Sequence, residues 1–259
     1  MTSRANARVL VEVAVDSVAG AIAAANAGAD RLELCASLGE GGLTPSLGLV
    51  DAVRAAVRVP IVVMVRPRAG DFLFDGHEFD VMRRDTQLLR ERGIAGIVTG
   101  VLTANGEVDV TRMRALVDAA RPLPITFHRA FDLCADPRAA LEALVALGVR
   151  RVLTSGQAAN ALAGADAIAH HVATASDRLV VMAGAGVRPG NVATIVARTG
   201  VREVHLSASA WTASAMTFRR GDVPMGAVRP PDEYVLRTTD GDVVAAVVAA
   251  LAAPPAPRS

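Results

Sequence analysis

Lysine is absent from this 259-residue chain, so all 27 basic residues are arginine. With 26 acidic residues the formal net charge is only +1, which leaves no strong field to attract nucleic acid or an anionic membrane. Aromatic residues make up only 3%, which argues against base-stacking surfaces. We therefore expect neither nucleic acid nor membrane as a partner. The hydrophobic fraction of 52% predicts a folded protein with a substantial core.

Cysteine is also scarce, with only Cys35 and Cys134 in the chain. Two cysteines are too few for a disulfide framework and are consistent with a reducing compartment. The N-terminal segment lacks a signal-peptide core, because Glu12 and Asp16 interrupt its apolar run. The longest apolar run, residues 243–253, is too short to cross a bilayer and predicts a final helix packed on the core. We expect a cytoplasmic protein.

Strand-like and helix-like segments alternate along the chain. Most strand-like runs are continuously apolar, as in parallel strands that are buried on both faces. Eight such units in about 250 residues predict an α/β fold, a single-domain (β/α)8 TIM barrel over residues 1–253 with a flexible tail at 254–259. A doubly wound sheet is the alternative, but no Gly-rich dinucleotide fingerprint follows the first strand. Strands are expected at about 8–15, 30–35, 60–66, 94–99, 123–128, 150–155, 178–183 and 202–207, and helices near 17–28, 46–57, 78–92, 109–120, 136–147, 159–176 and 189–199.

A weak internal repeat supports the barrel. AGADRLELC, RGIAGIVTG, LGVRRVLTS and TGVREVHLS each place a glycine before a strand, where it ends the preceding helix with a positive φ. Helix starts are signalled by Ser17, Ser46, Pro137 and Pro189. Residues 208–239 do not fit the repeat, and their length and Gly/Pro content predict an ordered excursion between the eighth strand and the C-terminal helix.

Polar residues collect where the predicted strands end. The segment PITFHRAFD (124–132) places His128, Arg129 and Asp132 at the end of the fifth strand. In a (β/α)8 barrel the carboxyl ends of the strands meet at one mouth, and an imidazole, a cation and a carboxylate there indicate binding or catalysis. The other strand ends contribute Glu12, Glu33, Arg66, Arg68, Thr99, Thr154, Ser155, His205 and Ser207.

Glu12 and Glu33 lie within apolar runs, and a buried carboxylate needs a partner. Arg66 and His128 on neighbouring strands are available for this role. A buried ion-pair network that merely closes the barrel is the alternative. We favour a site, in which the catalytic residues are Glu12, Glu33, His128, Asp132 and His205, and the substrate-binding residues include Arg66, Arg68, Arg129 and Thr154.

A glycine-rich segment, MAGAGVRPGN (182–191), follows the seventh strand, and Ser207 follows the eighth. Backbone amides at these two places commonly form a phosphate cradle in (β/α)8 barrels, although a tight turn needs the same small residues. We add Gly184, Gly186, Asn191 and Ser207 to the substrate-binding residues.

Two further sets of residues lie outside the predicted strands. The loop PRAGDFLFD (67–75) would expose Phe72 and Phe74, as a lid or a subunit contact. By contrast, His77, His170 and His171 lie outside the strand ends and are expected on the surface.

Eight segments in order resemble those of the CutC family, which is named for copper homeostasis. They are VEVAVDS, GADRLELCASLGEGGLTPS, VMVRPRAGDF, PLPITFHRAFD, RVLTSG, VVMAGAGV, EVHLSA and MTFRRGDVPMGA, and they cover residues 8 to about 250. The resemblance implies a (β/α)8 barrel, a homodimer or larger oligomer, and a cytoplasmic protein that handles copper.

The copper expectation centres on Cys35. Some family members are described as binding Cu(I) through cysteine, but the family motif EVCVDS reads EVAVDS here, with Ala14 in place of its cysteine. Cu(I) prefers two or more sulfur ligands, and Cys134, Met64 or Met182 would have to supply the second. Three hypotheses stay open: a Cu(I)-binding protein centred on Cys35, a barrel enzyme for a small anionic or phosphorylated substrate, and a stable barrel whose family name reflects an indirect phenotype.

Overall fold

Eight parallel strands close into a barrel in a computed structural model that describes residues 8–223 and 233–252. The final strand pairs with the first, which confirms the (β/α)8 prediction over the open sheet. The strands are β1 (Leu10–Val15), β2 (Arg31–Leu34), β3 (Ile61–Met64), β4 (Gly96–Thr99), β5 (Ile125–Phe127), β6 (Arg151–Thr154), β7 (Val180–Ala183) and β8 (Glu203–Leu206). The helices are α1 (Val18–Asn26), α2 (Leu47–Ala56), α3 (Gly76–Arg90), α4 (Val110–Ala120), α5 (Pro137–Leu147), α6 (Ala165–Ala175), α7 (Val192–Thr199) and α8 (Gly241–Ala252).

The strands divide their residues between two environments. In β1 the side chains of Val11, Val13 and Val15 belong to the main apolar cluster between strands and helices. Because side chains alternate along a strand, Glu12 and Ala14 point into the barrel instead. The main apolar core therefore lies outside the sheet, and polar residues share the barrel interior with a small cluster of Cys35, Val62, Met64 and Val98.

Most sequence signals for helix ends are confirmed. The Ser17 hydroxyl accepts from the Gly20 amide at 3.1 Å, and Ser46 accepts from Leu49 at 3.2 Å. Pro137 is the first residue of α5, whereas α7 begins at Val192, three residues after Pro189. The glycines of the repeat all have a positive φ, +95° at Gly28, +63° at Gly93, +75° at Gly148 and +71° at Gly200.

Helix α6 begins at Ala165, six residues later than the sequence suggested. Gly164 packs so closely on the end of β6 that an added Cβ would lie 2.0 Å from the Ser155 carbonyl oxygen. The chain therefore folds back over this strand end before the helix starts, and only glycine permits that approach.

The excursion after β8 begins and ends as an antiparallel ribbon. Strand β9 (Ser209–Ala213) pairs with β10 (Val235–Thr239), and residues 224–232 between them lie outside the described part of the chain, as does the predicted tail. β10 and α8 both contact α1, and α8 also contacts α7, so α8 completes the ring of helices. Within 8–223 and 233–252 we find no helix of the length and apolar character needed to cross a membrane.

Candidate functional site

An ion-pair network fills the lower part of the barrel interior, which is the part nearer the amino-terminal ends of the strands. Arg31, the first residue of β2, donates to both Glu12 and Glu203, and its Nη2 lies 3.6 Å from the Met182 sulfur. Arg151 reaches Glu203 from the other side, with 2.9 Å between Nε and Oε2. Burial tends to lower the pKa of the Arg31 guanidinium, but Glu12 and Glu203 outweigh it and raise that pKa. A buried ion-pair network is thus present beneath the mouth, but apart from Glu12 its members are not the residues that the sequence analysis considered for one.

Glu12 belongs to this lower layer, which corrects its expected place at the mouth. It is completely buried, and its partner is Arg31, not Arg66 or His128. Burial raises the pKa of Glu12 above its usual value, although Arg31 and His205 oppose the change. Its second oxygen, Oε1, lies 3.9 Å from His205 Nε2 and has no hydrogen-bond partner within the described chain.

Glu33 and His205 form the next layer, directly above. Glu33 Oε2 and His205 Nε2 are 2.8 Å apart, and Glu33 is 3% exposed. Burial disfavours both charges, but their mutual attraction is stronger: it lowers the pKa of Glu33 and, with help from Glu12, raises the pKa of His205. This mutual attraction favours the ionised pair, a carboxylate next to an imidazolium. The expected partner of Glu33 was again wrong, since His205 pairs with it instead of Arg66 or His128.

His128 is neutral and carries its proton on Nε2. Burial, followed by the charge of Arg66, lowers its pKa to about 4. Its Nδ1 accepts from the Ala130 amide at 3.2 Å, which fixes the tautomer with hydrogen on Nε2. That Nε2 is buried and has no partner among the described residues. At neutral pH His128 is thus a hydrogen-bond donor and not a base.

Arg66 brings a positive charge to the mouth without a paired carboxylate in the described chain. Its two terminal nitrogens donate to the backbone carbonyls of Glu40, Gly42 and Gly70, at 2.9, 3.2 and 2.9 Å. The guanidinium lies 5.0 Å from the centre of the Phe72 ring, and its Nε is buried and has no partner among the residues that the structure describes. Burial and the nearby Arg68 lower its pKa, yet an arginine remains charged at neutral pH.

These side chains line a small pocket at the carboxyl ends of the strands. The inner pocket has a volume of about 210 Å³ and is bordered by Glu33, Arg66, His128, His205 and Phe72, with Glu40, Gly41, Met64, Arg129 and Leu153 completing the wall. Three atoms of its polar residues lack partners in the part of the chain that is described: two donors, on Arg66 and His128, and one acceptor, Glu33 Oε1. The pocket can therefore hold an anion or a carbonyl oxygen next to a carboxylate.

Other expected site residues have different roles. Asp132 accepts from the Ser155 and Gln157 amides, from the Thr154 and Ser155 hydroxyls and, at 2.8 Å, from Arg129, so it shapes the mouth instead of facing a ligand. Thr154 donates to Asp132 and is wholly buried, because the inward position of β6 belongs to Leu153.

The loop after β3 is organised by Arg68, which lies away from the pocket. It pairs with Glu78 at 2.6 Å and Asp71 at 3.0 Å, and it stacks over Phe74. Phe74 is buried rather than exposed, and only Phe72 reaches the pocket. His171, expected on the surface, is also buried and packs edge-on against Phe131.

The lower network was missed by the sequence analysis, although strand alternation could have found it. Arg31, Arg151 and Glu203 each lie two residues before an inward residue at the mouth, namely Glu33, Leu153 and His205. Side chains two residues apart share a face of a strand, so the same segments encode both layers.

One set of described side chains has the spacing of a metal site. Ligand atoms of Glu12, Glu33 and His205 lie within 4.8 Å of one another. Glu12 is paired with Arg31 and Glu33 with His205, so these pairings account for the arrangement without a metal ion.

A family model for the CutC family matches residues 9–210. The chain belongs to the CutC family. A family protein CutC from Chromobacterium violaceum is 48% identical over 242 residues, covering 93% of this chain and 98% of that protein. The human copper homeostasis protein cutC homolog is 46% identical over 231 residues, covering 89% of this chain and 85% of its own. Copper homeostasis is thus attached to the family by name.

Solved structures agree with the barrel. A putative copper homeostasis protein CutC from Streptococcus agalactiae superposes with a TM-score of 0.73 at 31% identity, covering 76% of this chain and 97% of that one. A phosphoribosylanthranilate isomerase from Thermotoga maritima gives 0.56 at 11% identity, covering 94% of this chain and 98% of that one. The second likeness concerns the fold alone.

Proposed function

We propose that this CutC family member is an enzyme that moves a proton on a small organic anion held in the inner pocket. The proposal rests on one observation, namely that polar groups of that pocket lack partners. The buried Arg66 charge has no carboxylate partner, and Arg66 Nε, His128 Nε2 and Glu33 Oε1 have no hydrogen-bond partner in the described chain. Unsatisfied buried polar atoms are costly, and a ligand would satisfy all three at once.

Each of these residues has a separate role in a proton abstraction. Arg66 binds the anionic group, and the neutral His128 donates its Nε2 hydrogen to the oxygen on which negative charge develops. Glu33 takes a proton from the carbon next to the carbonyl or carboxylate group that carries this oxygen, and the C–H electron pair moves toward the oxygen. The hydrogen bond from His205 orients Glu33, and the same carboxyl group returns the proton. Glu12 supports His205 from below.

Hydrogen exchange tests this proposal directly. We expect the protein to accelerate the exchange of C3 hydrogens of 2-oxobutanoate, or of another small 2-oxo carboxylate, in D2O. Glu33→Gln should slow this exchange by about 10²- to 10⁴-fold, the usual contribution of a general base. Proton NMR measures the loss of the C–H signal. Arg202→Gln, at an exposed position on the opposite end of the barrel, is the matched control and should leave the rate unchanged.

The proposal fails if no member of such a panel exchanges faster than in buffer and none shifts the His128 or His205 imidazole signals. Equally fast exchange in Glu33→Gln would be consistent with an enzyme but would show that Glu33 is not its base.

The donor set around Cys35 does not fit tight Cu(I) binding. Burial, together with the Glu33 carboxylate 3.8 Å from the sulfur, raises the pKa of the Cys35 thiol well above its usual value. Copper binds the thiolate, which this environment disfavours. Met64 belongs to the same small cluster of buried residues, whereas Met182 lies in the lower network and Cys134 in the outer core.

A competition experiment decides the copper hypothesis. We expect bicinchoninate to remove Cu(I) from the reduced protein at pH 7, with no difference between the wild type and Cys35→Ser. Cys134→Ser is the matched control for the loss of a buried thiol. Stoichiometric Cu(I) retention that disappears only in Cys35→Ser would establish the copper site instead.

The cytoplasmic location and the homodimer remain predictions. Light scattering after size-exclusion chromatography gives the oligomeric state.

A further inference from the structure

A second cleft opens directly outside the inner pocket. It has a volume of about 680 Å³ and lies among the loops after β7 and β8 and the β9–β10 ribbon. The two spaces share four lining residues, Glu33, Gly41, Arg129 and His205, so they adjoin at the Glu33–His205 pair. At about 210 Å³ the inner pocket is smaller than the roughly 300–1,000 Å³ of most ligand sites, whereas the outer cleft lies within that range. A ligand seated at Arg66 therefore has room to extend outward.

The outer cleft carries positive charge that the described chain does not balance. Arg129, Arg188 and Arg237 line it, and Glu33, the one acidic residue among the described lining residues, is paired with His205. Arg129 is paired with Asp132. Within the described residues Arg237 donates only to the Ser209 hydroxyl, at 2.9 and 2.7 Å, and Arg188 has no side-chain partner there. Two guanidinium groups are thus available for an anion.

Backbone donors lie beside these arginines. Ala185, Gly186 and Ala208 have φ values of +72°, +69° and +44°, and they line the cleft just after β7 and β8. Their amides make no hydrogen bond within residues 8–223 and 233–252. A positive φ is unfavourable for alanine, and such backbone conformations concentrate at ligand sites. The hydroxyls of Ser207 and Ser209 lie 3.1 Å apart along the same wall.

Neighbouring polar residues hold this wall in place. The Asn191 side chain accepts from the Arg188 amide at 2.8 Å and donates to the Gly186 carbonyl at 2.8 Å, so it shapes the loop and is not itself free for a ligand. Gly184 allows close packing, because a Cβ there would lie 2.5 Å from Leu153. Asn191 and Gly184 thus support this wall, whereas the amides of Ala185, Gly186 and Ala208 are donors in it that have no partner in the described chain.

From this geometry we propose that the outer cleft binds a phosphoryl group, through Arg188, Arg237 and the backbone amides of Ala185, Gly186 and Ala208. Resting on the proposed function, this makes the substrate a phosphorylated organic acid or carbonyl compound, with its reacting end at Arg66 and its phosphoryl group outside Glu33. Guanidinium groups and backbone amides are the donors that bind phosphate oxygens best.

Inorganic phosphate is the probe, titrated into the protein at constant ionic strength with chloride as the balancing anion. We expect saturable binding by calorimetry, weakened about tenfold in Arg188→Gln and in Arg237→Gln, as for one lost charge-assisted hydrogen bond. Arg202→Gln is the control for an exposed arginine elsewhere, and Arg66→Met tests whether phosphate binds in the inner pocket instead. Thermal melts verify that each variant is folded.

Two results would overturn the outer site. One is the absence of saturable phosphate binding by the wild type. The other is binding that Arg66→Met abolishes while Arg188→Gln and Arg237→Gln keep it, which would move the anion into the inner pocket. The second result leaves the proposed proton transfer intact. Conversely, if the protein catalyses no hydrogen exchange but still binds phosphate, only the proton transfer is refuted.

Discussion

Replacing Arg31 by methionine is expected to lower the free energy of unfolding by about 3–5 kcal/mol, the cost of breaking a buried ion pair from one side. Arg31 is 6% exposed and donates to both Glu12 and Glu203. Without it, Glu12 loses its cationic partner in the lower layer, and Glu203 retains only Arg151. Both carboxylates would then have to be protonated or drawn toward water. Urea denaturation at pH 7 measures the change.

The matched control is Arg178→Met, which removes an exposed bidentate pair with Glu142 at 2.7 and 2.8 Å. Exposed pairs contribute about 0–1 kcal/mol, so the two substitutions should differ severalfold. Adding Glu12→Gln to Arg31→Met should recover part of the loss, because it removes an unpaired charge. Equal losses in Arg31→Met and Arg178→Met would contradict the network.

Acidification from pH 7 to pH 5 is expected to cost the wild type about 2 kcal/mol through His128 alone. Its pKa is about 4 in the folded protein, against about 6.5 in the unfolded chain. The unfolded state therefore binds the proton first, and the stability that neutral His128 contributes is lost as the pH falls from about 6.5 toward 4. His171, whose burial also lowers its pKa, adds a loss of the same sign. His205 acts oppositely: with a raised pKa, it loses its contribution as the pH rises.

His128→Asn isolates the His128 contribution. Asparagine supplies an oxygen that can accept from the Ala130 amide, but it does not titrate. The difference in unfolding free energy between pH 7 and pH 5, measured in urea, should shrink by about 2 kcal/mol in this variant. His77→Asn, at an exposed site, should leave the difference unchanged. If the His128 imidazole itself titrates near pH 6.5 by NMR, His128 is not desolvated as described.

The barrel was predictable because each of its signals is local. Glycine at the ends of four helices, serine and proline at helix starts, and mostly apolar strands of three to six residues follow from backbone preferences that neighbouring residues satisfy. The late start of α6 was not predictable, since it depends on how Gly164 meets Ser155 across the end of β6. The pairing of β9 with β10 likewise joins segments more than twenty residues apart.

The sequence by itself determined the barrel, the family and the residue types at the mouth, since alternating strands and short motifs encode them. Only the tertiary structure decided the partners. In the folded chain Glu12 pairs with Arg31 and Glu33 pairs with His205. His128 is neutral, and Arg66 has no carboxylate partner in the described chain. The physical reason is that strand register and desolvation set which charges meet in the barrel interior. Both arise only when distant strands pair around a closed sheet.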